Sequence, residues 1–258
     1  MDALAFKNVT LTIGGKVYLR NVDLVLEEGE TLVVVGNPGC GKSLILRAAL
    51  GFPGMGDGEE VKMEGEIYLW GQLMAELQGR QLQQARMRIG SLLRGGSLID
   101  NMDVRRNITF PLYYHFQDQM AAEDIEARCA LLLADMGLGF LGEPGRRPVT
   151  LNREERLYVG LARALVNQPI LFLLDDPAVG LGAVATAKLK KFLFYEPQFA
   201  DGFDLGGRGE GTLTRLITTN CIDTYLDCGD RFAVLDRQTI EVVGDRCAMA
   251  QNAGEFIR

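Results

Sequence analysis

The stretch TLVVVGNPGCGKSLILRAAL, residues 31 to 50, determines how the rest of the chain is interpreted. Its first part, TLVVV, is a continuous apolar and β-branched run, which is typical of a strand buried on both faces of a sheet. KSLILRAAL has the pattern of a helix that ends near Gly51 and Pro53. Between them, GNPGCGKS fits the phosphate-binding pattern G-x-x-x-x-G-K-[ST], in the strand, loop and helix order that the pattern requires.

The pattern assigns a role to each part of this loop. Glycines at 36, 39 and 41 allow backbone N–H groups to turn inward around phosphate oxygens. The helix beginning near Lys42 adds its positive end. Lys42 is predicted to contact the β and γ phosphates, and Ser43 to ligate Mg²⁺. The predicted nucleotide-binding residues of the loop are Gly36, Asn37, Pro38, Gly39, Cys40, Gly41, Lys42, Ser43 and Leu44. The alternative is a glycine turn with no ligand.

A second apolar run, ILFLLDDP, ends in two carboxylates. Asp175 stands at the carboxyl end of the predicted strand, where an acid holds Mg²⁺ or its water. Asp176 follows, where a general base would polarise an attacking water. The alternative is that two acids end a strand and begin a turn.

Composition limits the class of protein. The chain has 258 residues, of which 47% are hydrophobic and 24% charged, as in an ordinary globular protein. The formal net charge of -7 argues against nucleic acid as the main partner. Five scattered cysteines and one histidine argue against a zinc site. No apolar run approaches the roughly 20 residues that span a bilayer, so we expect a cytoplasmic protein.

Alternating buried strands and helices predict an α/β fold. The N-terminal segments, ALAFKNVTLTIGG and KVYLRNVDLVLEEGE, alternate apolar and polar residues, which indicates antiparallel strands with one buried face. Residues 73 to 88 are predicted to be helical. We expect a single domain with a core formed by residues 1–91 and 151–258 and an inserted helical subdomain at about 92–150. The glycine-rich stretch 196–212 has no assignable role.

In order and spacing, the chain resembles the ATP-binding cassette (ABC) ATPases over nearly its whole length. LVVVGNPGCGKS resembles that family's phosphate loop. VTLNREERLYVGLARALVNQPILFLLDDPAVGL falls where the family has its signature, helix, acidic strand and following loop. The resemblance implies a P-loop NTPase of ABC type with a mixed sheet, and ATP and Mg²⁺ as cofactors. It also implies a homodimer or heterodimer with another cassette, attached to a transmembrane permease at the inner face of the membrane.

Two further segments resemble one subfamily, the ATPases of Mce-associated (Mla-type) lipid transporters. They are IGSLLRGGSLIDNMDVRRNITFPL, residues 89 to 112, and the final NAGEFIR. This resemblance implies lipid transport and an Mce-domain lipid-binding protein as a further partner.

Several positions depart from the family's pattern. Arg94 replaces a glutamine that helps to hold Mg²⁺ and water, and a guanidinium has no lone pair for a metal. It would either pair with phosphate oxygens or lie at the permease contact. The signature is LNREE rather than Ser-Gly-Gly; Asn152 is still expected to cap a helix, with Glu155 completing a capping box, and is predicted to contact nucleotide. Two carboxylates there would repel a polyanion, which Arg153 partly offsets.

The catalytic positions also differ. Asp176 occupies the position of the family's catalytic glutamate, and its side chain is one methylene shorter. Asn220 occupies the position of the family's switch histidine and carries no positive charge. Gly182 replaces an aspartate that makes a contact across the dimer. Ile13 occupies the place of the aromatic residue that stacks on adenine, with Tyr18 the nearest aromatic.

Three functions follow as hypotheses. The first is a slow or conditional ATPase that energises a permease, with Asp176, Asn220 and Arg94 as its catalytic residues. The second is a degenerate cassette that binds ATP for structure or regulation and pairs with a more competent partner. The third is an ABC protein without a transport role, which we favour least because such proteins usually carry two cassettes.

Overall fold

The computed structural model of the chain describes residues 1–54, 58–116, 118–194 and 213–249. The stretch 196–212 and the final NAGEFIR lie outside them. Packing divides the chain into two compact units. The first unit comprises Met1–Arg86, Leu173–Asp176 and Thr212–Arg258, and the second comprises Met87–Phe172 and Pro177–Gly211. The predicted helical subdomain, residues 92–150, falls within the bounds of the second unit.

One sheet of the first unit is antiparallel and has the order β2-β1-β4-β5. Its strands are β1 (Asp2–Ile13), β2 (Lys16–Glu27), β4 (Val61–Leu69) and β5 (Gln72–Leu73). Buried and exposed residues alternate along most of β2, as the sequence pattern predicted. The first residue of β1, Asp2, pairs with Glu27 of β2, and Ile13 pairs with Lys16.

The phosphate loop follows the central strand of a second, mixed sheet. Its elements in the first unit are β3 (Thr31–Val35), the residues Leu173–Asp175 of β7 (Leu171–Asp175), β8 (Thr214–Thr219), β9 (Arg231–Asp236) and β10 (Thr239–Gly244). They neighbour one another in the order β10-β9-β3-β8-β7. Strand β3 runs parallel to β8 and β9, whereas β9 and β10 are antiparallel. The predicted α/β fold with a mixed sheet and N-terminal antiparallel strands is therefore confirmed.

Helices α1 (Lys42–Ala49) and α2 (Gly79–Met87) accompany these sheets, and residues 246–249 are also helical. The prediction of a helix over residues 73 to 88 was wrong at its start. Trp70 and Gly71 both have positive φ, 47° and 75°, which suits a tight two-residue hairpin turn. The hairpin pairs Tyr68 with Leu73, so the first predicted helical residue belongs to a strand instead.

The second unit is mainly helical. It contains β6 (Ile89–Leu92), α3 (Val104–Phe116), α4 (Ala122–Asp135), α5 (Arg153–Leu165) and α6 (Ala183–Leu193). The apolar side of α4 is buried as the spacing predicted, with Ile125, Cys129 and Leu132 fully enclosed. Gly137, predicted to end this helix, has a φ of 65° directly after it. Among the helices of the described residues, none is both long and apolar enough to cross a bilayer.

Candidate functional site

The predicted phosphate loop connects β3 to α1, within the first unit. Gly39 and Gly41 have φ of 81° and 110°, in the left-handed region that favours glycine. Gly36 is required for space, because a Cβ there would lie 2.6 Å from the Leu235 carbonyl oxygen. Each glycine of the pattern therefore has a local structural cause, and together they give the tight curvature that a phosphate-binding backbone needs.

The residues of the loop differ in exposure. Those at its exposed tip are Asn37, Pro38 and Gly39, and those that are half-buried are Cys40, Gly41 and Ser43. The Leu44 side chain is buried, and its N–H donates to the Gly41 carbonyl at 2.9 Å. The Leu44 side chain therefore offers no exposed apolar surface for its predicted contact with nucleotide.

Lys42 is buried at the first position of α1, with only 4% of its surface exposed. Its Nζ donates to the carbonyl oxygens of Gly36 at 2.6 Å and Asn37 at 2.9 Å, and to Oδ1 of Asn220 at 2.7 Å. Burial lowers the pKa of Lys42, and the nearby Cys40 opposes that shift. The ammonium group is therefore held inside the loop by oxygen acceptors, where a phosphate would also be bound.

The two carboxylates after β7 lie beside the last residues of β8. Thr218 Oγ1 donates to Asp175 Oδ1 at 2.9 Å. Each oxygen of Asp176 accepts a hydrogen bond, Oδ1 from Thr219 Oγ1 at 3.2 Å and Oδ2 from Asn220 Nδ2 at 2.8 Å. Both acids are 4% exposed. The predicted residues Lys42, Asp175, Asp176 and Asn220 therefore come together in the first unit.

Sequence reasoning missed the two threonines of this cluster. Thr218 and Thr219 belong to β8, all of whose residues are buried. Consecutive residues of a strand face opposite sides, so one threonine orients Asp175 and the other Asp176. The available signal was a pair of hydroxyl residues in a buried strand directly before Asn220, since buried polar groups need partners.

The donor set fits Mg²⁺. The Ser43 hydroxyl and the Asp175 carboxylate are hard oxygen ligands, and Mg²⁺ typically takes one or two protein oxygens while it keeps several waters. The hydrogen bond from Thr218 orients the Asp175 carboxylate. Such supporting contacts commonly fix a metal ligand.

The residues considered for the adenine contact lie in β1 and β2. The Ile13 side chain is 3% exposed, at the end of β1. Tyr18 is half-buried, and Lys16 Nζ lies 4.9 Å from the centre of its ring. Contact of either residue with adenine stays a prediction.

In the second unit, Asn152 caps α5 as predicted. Its Oδ1 accepts from the Glu155 N–H at 2.9 Å, and Glu155 Oε2 accepts from the Asn152 N–H at 2.9 Å. Glu155 also pairs with Arg146 at 3.0 Å, and Glu154 accepts from the Tyr158 hydroxyl at 2.7 Å. Glu155 thus has a cationic partner within the unit, which reduces the repulsion expected from it, whereas the neutral Tyr158 hydroxyl leaves the charge of Glu154 in place.

We expect Asn152→Ala to lower the free energy of unfolding by about 1 kcal/mol, because the cap hydrogen bond to the Glu155 N–H is lost. Urea denaturation followed by circular dichroism measures the change. Asn152→Asp is the matched control, because it keeps an acceptor oxygen and places a negative charge at the helix N-terminus. A loss for aspartate equal to that for alanine would contradict the capping explanation.

Arg94 begins a short turn of 3-10 helix, Arg94–Gly96, and is exposed. This turn is pressed against α5. Arg163 donates to the carbonyl oxygens of Gly96 and Ser97, each at 2.9 Å. A Cβ on Gly160 would lie 2.8 Å from Leu92 Cδ1 and 3.0 Å from the Gly96 carbonyl oxygen. The segment that carries Arg94 is therefore fixed to α5 by a close approach of two glycines.

Gly160→Ala is expected to lower the free energy of unfolding by about 1–3 kcal/mol, because the added methyl overpacks this contact. The direction of the change in stability is informative, because alanine otherwise stabilises a helix relative to glycine by about 1 kcal/mol. Gly139→Ala in the same unit is the control, because nothing lies within 4 Å of its Cβ position. Chemical denaturation measures the free energy of unfolding of both variants. An unchanged free energy of unfolding for Gly160→Ala would show that the contact tolerates a methyl group.

Gly182 forms the N-cap of α6 and supplies no side-chain cap. Two residues before it, Gly180 has a φ of 69°, and the Arg153 guanidinium occupies the space where its Cβ would lie. Arg153 is itself exposed at the start of α5. The cation that was expected to offset the signature carboxylates is thus packed on the backbone of the loop after β7.

The chain is similar to known proteins over most of its length. Residues 19–179 match the family model described as ABC transporter. A spermidine/putrescine import ATP-binding protein of Pseudomonas aeruginosa is 34% identical over 180 residues, which are 70% of this chain and 45% of that protein. A sulfate/thiosulfate import ATP-binding protein of Methylococcus capsulatus is 29% identical over 94% of this chain and 63% of its own length. The chain thus spans about half to two thirds of these relatives.

Solved structures give the same result. The ATP-binding cassette MJ0796, dimeric and bound to ADP and Pi, has a TM-score of 0.71 with 25% identity, over 92% of this chain and 96% of that one. The cbiO1 protein of Clostridium perfringens, part of the cbiONQ transporter complex, has a TM-score of 0.74 over 99% of this chain and 92% of its own, and its 18% identity speaks for the fold alone. The chain belongs to the ABC transporter family and is an ATP-binding cassette, a kind of protein that binds ATP with Mg²⁺.

Proposed function

We propose that this chain is the ATP-binding subunit of an ABC transporter and that it hydrolyses ATP slowly, through the cluster of Lys42, Asp175, Asp176 and Asn220. The observation that carries the proposal is the position of Asp176. It is a buried carboxylate in the same cluster as the phosphate-loop lysine, and Asn220 bridges the two side chains.

Binding is assigned to the loop and to α1. Lys42 brings the positive charge, and the backbone N–H groups of the loop and the helix N-terminus bring dipoles oriented toward an anion. Ser43 and Asp175 would hold Mg²⁺, which would neutralise phosphate charge when bound. These groups are all present, so nucleotide binding does not depend on the positions that depart from the family's pattern.

Hydrolysis is assigned to Asp176 as the base that accepts a proton from the attacking water. Three features slow it. The carboxylate is one methylene shorter than a glutamate, and a misplacement of about 1 Å can cost a hundredfold. Its oxygens are engaged by Thr219 and Asn220. Asn220 is neutral, so it offers a hydrogen bond to phosphate without positive charge.

The backbone favours aspartate at this position. Asp176 has a φ of 46°, in the left-handed region where Asp and Asn are enriched among non-glycine residues. A glutamate at 176 would be less suited to that conformation. The shorter base is therefore consistent with the local backbone geometry.

The second candidate is a cassette that binds ATP without significant hydrolysis, paired with a more competent partner. The engaged state of Asp176 favours it, because a carboxylate whose oxygens both accept hydrogen bonds has fewer free lone pairs for a water. The two candidates share the same binding residues and differ only in turnover.

Transport requires partners beyond this chain. A transmembrane permease and a second cassette, identical or different, complete the proposed transporter and place the chain on the inner face of the membrane. The names of the relatives refer to import of polyamines and of sulfate. Lipid transport and an Mce-domain partner rest on residues 89–112 and on the final heptapeptide alone, so the proposal leaves the substrate class open.

Single-turnover hydrolysis, with the chain in excess over radiolabelled ATP, tests the proposal. The chain is measured alone and together with its permease. We expect slow conversion to ADP that the permease accelerates. ATP that stays bound and unconverted in both cases would establish the binding-only cassette, and the absence of bound nucleotide would reject both candidates.

A further inference from the structure

We infer that Asn220 is a positioning residue whose side-chain oxygen competes with phosphate for Lys42, so that a nucleotide must break the contact between Lys42 and Asn220 as its phosphates bind. The inference rests on the proposed function and deepens it. The pattern-based role for Asn220 was a hydrogen bond to the γ phosphate; here it acts on the phosphate-binding lysine.

The donors of Lys42 are fully used. An ammonium group has three N–H donors and no acceptor. Lys42 Nζ has three oxygen acceptors within 2.9 Å, two of them carbonyl groups of the loop and the third Oδ1 of Asn220, while Cys40 Sγ is a longer and weaker acceptor at 3.8 Å. A phosphate oxygen therefore has to replace one of these acceptors.

Asn220 is oriented by charges on both sides. Its Oδ1 faces Lys42, which only donates, and its Nδ2 faces Asp176, which only accepts when ionised. Turning the amide over would place NH₂ against ammonium and oxygen against carboxylate. The amide thus has one favourable orientation, in which it bridges the lysine and the proposed base.

Among the three oxygen acceptors of Lys42, Asn220 gives way most easily. The other two oxygen acceptors are backbone carbonyls of Gly36 and Asn37, fixed by the conformation of the loop. Asn220 is exposed, so its side chain can turn to solvent and keep its Oδ1 hydrated. When it turns, both Lys42 and Asp176 lose a partner, which links phosphate binding to the release of the base.

Equilibrium titration of Asn220→Ala with MgATP and with MgADP tests the inference. Removal of the amide is expected to strengthen binding of both nucleotides by about threefold to tenfold, because Lys42 gains a free donor and water replaces Asn220 only in part. An increase in affinity for MgADP is the decisive result. If Asn220 served only as a donor to the γ phosphate, the variant would bind MgATP more weakly and MgADP unchanged.

Two further variants complete the design. Asn220→Ser keeps a polar side chain too short to bridge both partners and is expected to give the same gain. Asn101→Ala, an exposed asparagine of the second unit, should leave both affinities unchanged. Unchanged or weaker binding of MgADP by both Asn220 variants overturns the inference while leaving the proposed function standing. A wild-type chain that binds neither nucleotide overturns the proposed function itself.

Discussion

Replacing Lys42 with methionine is expected to weaken ATP binding at least about 100-fold. Methionine has a similar length but neither charge nor donors. Hydrogen bonds from charged groups contribute about 1.5–3 kcal/mol each, and two of them to phosphate correspond to a factor of 100 or more. A titration with a fluorescent ATP analogue or by calorimetry measures the change.

Lys62→Met is the matched control, because Lys62 is an exposed lysine of the same unit that pairs with Glu64 at 2.7 Å. The affinity of the Lys62→Met variant for ATP should equal that of the unmodified chain. Since Lys42→Met also leaves the acceptors of Gly36, Asn37 and Asn220 without their donor, its circular dichroism spectrum and Tm are recorded with the titration. A folded Lys42→Met variant with unchanged affinity would mean that nucleotide does not bind at this loop.

Asp176→Asn is expected to reduce the single-turnover rate of hydrolysis about 100-fold or more, while ATP affinity stays within a few-fold. A general base typically contributes a factor of 10² to 10⁴, and an amide cannot accept the proton. Asparagine tolerates the left-handed φ of this position and can still accept from Asn220. The fold should therefore be retained, which separates chemistry from stability.

Asp118→Asn, at an exposed aspartate of the second unit, is the control for the charge change. It should hydrolyse ATP at the rate of the unmodified chain. If Asp176→Asn were as active as this control, another group would have to accept the proton, and the assignment of Asp176 would be withdrawn.

Features that depend on adjacent residues could be predicted from the sequence. The strand, loop and helix around GNPGCGKS follow one another within 20 residues, and each glycine has a conformational or steric reason that a pattern can capture. The capping box of Asn152 and Glu155 spans three positions along one helix turn. One contact of this local kind was not predicted. Tyr158 lies four residues after Glu154 on the same helix, so the sequence could have identified the two as neighbours.

Features that depend on the order of strands could not be predicted. The contact between Lys42 and Asn220 joins residues 178 positions apart and exists only because β3 and β8 are neighbours in the sheet. The roles of Thr218 and Thr219 have the same origin, since they reach the acids of β7 from the adjacent strand. Sequence patterns identify such residue types, but the pairing of distant strands determines which of them meet.

The central claim is that one cluster binds ATP through Lys42 and hydrolyses it slowly through Asp176. The most direct test incubates an excess of the chain with radiolabelled ATP, isolates the protein with its bound nucleotide at successive times, and separates ATP from ADP. We predict that the unmodified chain retains nucleotide that turns gradually from ATP into ADP, that Asp176→Asn retains ATP, and that Lys42→Met retains neither. Equal conversion in the unmodified chain and in Asp176→Asn, or equal retention in Lys42→Met, would contradict the claim.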